Sequence, residues 1–160
     1  MLIISLVAGI LVAFINIVVT LVNAPLYQQA ASYAKDPTHM PLNVASSIFW
    51  LFVVTGIISL IIYFIAGFIT GRVAVARRLG FYCGFVASVI AQVIGYIAGQ
   101  IPNYPGSLNT GFSNPLKAGG GIIAALIFLV IAGLIGGLFS WLGARLATRR
   151  HPYYYAGQGE

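Results

Sequence analysis

Four stretches of about twenty or more apolar residues, none broken by Asp, Glu, Lys or His, leave this chain almost no choice of fold. They run over residues 2–22, 48–71, 81–101 and 121–147, with arginine only at their ends. An α-helix needs about 20 apolar residues to cross the hydrocarbon core. Unpaired backbone N–H and C=O groups cannot remain in lipid, so each stretch is expected to be helical. The predicted fold is an all-α integral membrane protein. A four-transmembrane-helix bundle takes up residues 1–150, and a short tail covers 151–160.

Composition agrees with this reading. Only 6% of the chain is charged and 60% is hydrophobic. A soluble domain usually carries about 25% charged residues, and one so poor in charge would expose large apolar patches. The first stretch resembles a signal peptide only superficially. It lacks a basic leader, and its apolar run exceeds the roughly 7–15 residues of a signal core. It is therefore expected to stay as a span.

Charge sets the expected orientation. Arg72, Arg77 and Arg78 lie between spans two and three, and Arg145, Arg149 and Arg150 follow span four. The other two connections hold Lys35 and Lys117. Basic residues favour the cytoplasmic side, which predicts both termini inside and the longer loops outside, in the cell membrane. The arginines also suit anionic lipid headgroups, at ~1 kcal/mol each. In a soluble protein the net charge of +6 would suggest nucleic acid, but arginines at helix ends have this simpler cause. The outer loops are expected to form a short surface helix over Leu26 to Ala34 and turns around Pro102 to Gly106.

The two halves resemble each other. Span two leaves through Gly71-Arg72-Val73-Ala74, Arg77-Arg78 and Phe81-Tyr82, and span four through Ala144-Arg145-Leu146-Ala147, Arg149-Arg150 and Tyr153-Tyr154. This predicts two repeated helical hairpins of like orientation.

Small residues should bring helices together. Ala87, Ala91, Gly95 and Gly99 recur every four residues in span three, and Gly133 with Gly137 in span four. Such steps let helix backbones approach closely. A second run, Gly80, Gly84 and Ser88, and the pair Gly67 and Gly71, offer further contacts.

A polar stripe accompanies them. Ser88, Gln92, Tyr96 and Gln100 share one face of span three, Asn16 and Thr20 one face of span one, and Thr55 and Ser59 one face of span two. Facing lipid, an unpaired amide costs several kcal/mol. These groups should therefore point inward, as interhelical hydrogen bonds or as a polar path.

Chemistry is not written into the chain. No ionisable residue lies within a span to relay protons. His39 and His151 fall on opposite predicted sides, so no haem or metal site is expected, nor any other cofactor. Asp36 stands alone, the serines lack a neighbouring base, and Gly119-Gly120-Gly121 lacks the lysine of a phosphate loop. Cys83 is the single cysteine and reads as an inert thiol. The expectation is a protein that is no enzyme. It would be a structural or accessory subunit, with the lipid bilayer and other membrane subunits or copies of itself as partners. The alternative is a small channel for ions or neutral solutes.

Overall fold

The computed structural model describes residues 1–33, 40–101, 104–105 and 121–149. Among the described residues the chain forms five helices. These are α1 (Leu2–Val22), α2 (Ala24–Ser32), α3 (Leu42–Ala74), α4 (Arg77–Ala98) and α5 (Gly121–Thr148). Four of them are long and apolar enough to cross a bilayer, which makes this a multi-pass membrane protein.

Two elements go beyond the apolar stretches. Helix α2 begins at Ala24, directly after α1, because Asn23 organises the corner. Its backbone N–H and its Nδ2 both donate to the Val19 carbonyl, at 3.1 and 2.8 Å. Its own carbonyl accepts from the N–H groups of Leu26 and Tyr27. Pro25 falls in the first turn, where a missing N–H costs nothing. Helix α3 begins at Leu42, not at residue 48. Pro41 precedes it in an extended conformation, and the Ser46 hydroxyl donates to the Asn43 carbonyl at 3.0 Å. Polar residues 43, 46 and 47 hide this turn from hydropathy but do not oppose a helix. At 33 residues and 1.5 Å rise each, α3 is about 50 Å long and exceeds the ~30 Å hydrocarbon core.

Helices α3 and α4 are joined by Val75 and Ala76 alone. Val75 adopts φ 50° and ψ 26°, the left-handed region. A β-branched residue is strained there. The tight reversal sets α3 and α4 antiparallel and brings Arg72 and Arg77 to one end. Helix α5 packs closely on both α4 and α3, while α1 lies mainly on α4 and only lightly on α3. The start of α1 and the end of α5 lie at the same arginine-bearing end, because Gly9 meets α4 at Ala87 and Gly71 meets α5 at Ala144.

That end is packed through backbone. A Cβ on Gly71 would stand 2.6 Å from the Ala144 Cα, and one on Gly67 would strike the Ser140 backbone. Gly84 and Gly136 face each other across α4 and α5, and Gly143 presses on the backbone at Phe64. Cys83, Ala87, Ser140 and Ala144 are fully buried among them.

Two glycines on α5 depart from the packing that their spacing predicts. The nearest neighbours of Gly133 and Gly137 are aromatic rings and not backbone. The two glycines accommodate the rings of Phe85 and Phe81, at 2.7 and 2.8 Å from a built Cβ. Close backbone approach on α5 is instead carried by Gly136, Ser140, Gly143 and Ala144.

Candidate functional site

Past the bundle's middle the helices part. Between them lies a cavity of about 680 Å³, walled by α1, α3, α4 and α5 and bordered by Tyr27 of α2 and by Tyr104. Its deepest lining residues are Val12, Tyr63, Ser88 and Gly136. Each stands about ten to twelve residues from its helix's arginine-side end, roughly 15–18 Å at 1.5 Å per residue. The cavity therefore closes at one depth on all four helices, near the middle of a ~30 Å core.

Most of the sequence-predicted polar stripe gathers here. Asn16, Thr20, Ser88, Gln92 and Tyr96 all line the cavity, with Thr55 and Ser59 opposite on α3. Gln100 does not. It lies exposed beyond the end of α4.

The serine and threonine hydroxyls on the cavity wall have already committed their protons. Thr20 donates to the Asn16 carbonyl at 2.8 Å, Thr55 to that of Leu51 at 2.6 Å, and Ser59 to that of Thr55 at 2.9 Å. Ser88 crosses between helices, donating to the Ala132 carbonyl at 2.9 Å. Interhelical bonds of this kind are worth roughly 0.6 kcal/mol in lipid. The two carboxamides behave differently. Among the described residues no hydrogen bond joins Asn16 to Gln92, and neither side chain has a protein partner. Both face the open space.

Small residues divide along α4. Ala87 and Ala91 are buried, the first in the core and the second at the cavity wall. Gly99 is buried and also lines the cavity. Gly95 departs from the packing expectation. A Cβ built on it meets nothing within 4 Å, and the same holds for Gly56 on α3. Both glycines line the cavity, where the neighbouring helices have already diverged.

The mouth is ringed by phenols. Tyr27 is buried, and desolvation raises its pKa above the ordinary 10.0. Its hydrogen bond with Thr20 works in the opposite direction, and Tyr104 nearby adds to the rise. The phenol is therefore neutral at physiological pH. No lining residue is charged.

The arginines lie at the other end. Arg72, Arg78, Arg145 and Arg149 are exposed and Arg77 is half-buried. Arg145 stacks over Trp141, 5.4 Å from the ring centre. The Arg77 Nε donates at 3.0 Å to the Thr148 hydroxyl, which itself donates to the Ala144 carbonyl at 3.0 Å. This ties the start of α4 to the last turn of α5. Arg150 lies outside the described residues, as do His39, Lys35, Lys117, Gly119, Gly120 and the tail tyrosines.

Sequence reasoning missed Tyr63, Tyr27 and Tyr104 as cavity residues. For Tyr63 a signal existed, because it continues the Thr55, Ser59 series by one more step of four. Tyr27 and Tyr104 reach the mouth from outside the spans, which no periodicity could reveal.

The fold and the cavity together define a multi-pass membrane protein with a neutral, half-depth chamber. Comparison with protein-family models, curated proteins and solved structures returns no match.

Proposed function

We propose that the chain is a non-catalytic membrane protein that serves as a binding or structural subunit of a membrane assembly. Its chamber holds a neutral molecule at the bilayer's outer half. In this reading the arginine end is cytoplasmic, both termini are inside, and the chamber opens outward in the cell membrane. The observation that carries it is the common depth at which the cavity closes. A chamber shut at mid-membrane suits holding a molecule better than passing one. The matched arginine and aromatic exits of spans two and four support a repeated-hairpin origin.

A channel is the second reading, favoured by the polar face of α4 along the cavity. It requires the glycine-packed half to open. Gentle native purification, with the intact mass recorded, separates the two. Stoichiometric partner proteins, and no flux when the chain alone is placed in liposomes, are expected. Ion or solute flux through a pure homo-oligomer would replace the subunit reading with the channel.

A further inference from the structure

The chamber's walls are unequal, and that inequality specifies an occupant. The α1 and α4 walls carry both carboxamides, Asn16 and Gln92, with Thr20 and Tyr96 towards the mouth. The α5 wall is wholly apolar, contributing Phe128, Ala132, Ile135 and Gly136. On α3, Phe49 and Phe52 continue the apolar side, while Thr55 and Ser59 add hydroxyls. A molecule filling this space needs a polar end and an apolar body.

Hydrogen-bond accounting narrows the polar end. The protons of Thr20, Thr55 and Ser59 are spent on their own helices, so each offers the space only acceptor lone pairs. Each carboxamide offers two donors and an acceptor. The complement is a group that both donates and accepts, which a hydroxyl does and an ester or ketone does not. Charge narrows it further. A carboxylate, phosphate or ammonium here would lie in low dielectric with no opposite charge among the lining residues. Size sets the scale, since about 680 Å³ equals the liquid volume of roughly 23 waters, at about 30 Å³ each. That suits a molecule of some twenty to twenty-five non-hydrogen atoms, within the usual range of ligand pockets.

We infer that the chamber binds an uncharged, single-chain amphiphile with a hydroxyl-bearing head. The head is held by Asn16 and Gln92, and the chain lies along the aromatic and aliphatic wall of α3 and α5. The inference rests on reading the chamber as a binding site and names what it takes.

Cysteine protection tests it. Gly95→Cys and Gly56→Cys each place a thiol where a Cβ meets nothing, while native Cys83 is fully buried and stays silent. Either variant, reconstituted in phosphatidylcholine vesicles, is labelled with a maleimide. The probes are monoolein, which is neutral with two hydroxyls, methyl oleate, which is neutral without a donor, and oleate at alkaline pH, which is charged. Monoolein is expected to slow labelling at least threefold, with methyl oleate and oleate giving less than half that effect. Adding Gln92→Leu should abolish the protection, each double variant being compared with its own rate in probe-free vesicles. Equal protection by all three probes, or none, would overturn the ligand class while leaving an open chamber. Absence of labelling at both positions would overturn the chamber reading itself, and the inference with it.

Discussion

The arginine end and the far end of this bundle use the same residue type for opposite purposes. Near the arginines, glycine removes side chains so that backbones touch. Gly67 and Gly71 admit Ser140 and Ala144, and Gly84 admits Gly136. In the far half, Gly56 and Gly95 touch nothing and widen a space. The difference lies in helix divergence. In lipid there is no hydrophobic drive to close a gap between helices, so a half without backbone contact can stay open.

The largest expected effect breaks the closed half. Gly67→Leu forces a side chain into the Ser140 backbone and should cost on the order of 3 kcal/mol or prevent assembly. Gly56→Leu, in the open half, should change stability by less than ~1 kcal/mol. Thermal unfolding in one detergent compares them, and equal losses would erase the distinction between the halves.

A smaller effect loosens the same end. Thr148→Val removes the acceptor for Arg77 and should cost about 1 kcal/mol, read as a lowered unfolding midpoint. A midpoint unchanged from wild type would mean the link between α4 and α5 contributes nothing.

Four spans were legible in the sequence because hydropathy reports lipid contact directly. The i, i+4 spacing also set Asn16 with Thr20, and Ser88 with Gln92 and Tyr96, on shared helix faces, and all five line the cavity, Gln92 and Tyr96 as exposed residues. Spacing fails at the next level. Ala87, Ala91, Gly95 and Gly99 share one helix face, yet the first lies in the core and the last two border open space. Periodicity says which residues look the same way, and not how far off the neighbouring helix is. On α5 the glycines at 133, 136, 137 and 143 fall on two adjoining faces of an apolar helix, 133 with 137 and 136 with 143. The sequence therefore gave no ground for preferring the pair that meets backbone. The first turn of α3 is polar enough to read as loop, although Asn43 organises it locally, whereas α2, Ala24–Ser32, was legible as a short surface helix over Leu26 to Ala34 and starts two residues earlier because Asn23 turns the chain.

Two finer predictions probe the connections. Val75→Gly relieves a left-handed β-branched residue, a strain of about 1–2 kcal/mol, against a glycine entropy cost of about 0.5–1 kcal/mol. A net gain of ~0.5–1 kcal/mol is expected in chemical unfolding, and a loss would show that the turn is not strained. The smallest effect concerns pH. Burial raises the Tyr27 pKa in the folded state above the ordinary 10.0. Its contribution to docking α2 is therefore complete below pH 10 and lost as pH climbs through the folded value. Tyr27→Phe should flatten that alkaline loss of stability, and an unaltered alkaline profile would assign the loss to other groups.

The central claim, one sealed half and one open half, is tested most directly by thiol reactivity along α4. Native Cys83 and an introduced Gly95→Cys lie on one helix, on either side of the depth at which the cavity closes. In vesicles under one maleimide concentration, the account predicts labelling at position 95 at least ten times faster than at Cys83. Equal rates, whether both fast or both slow, would contradict it.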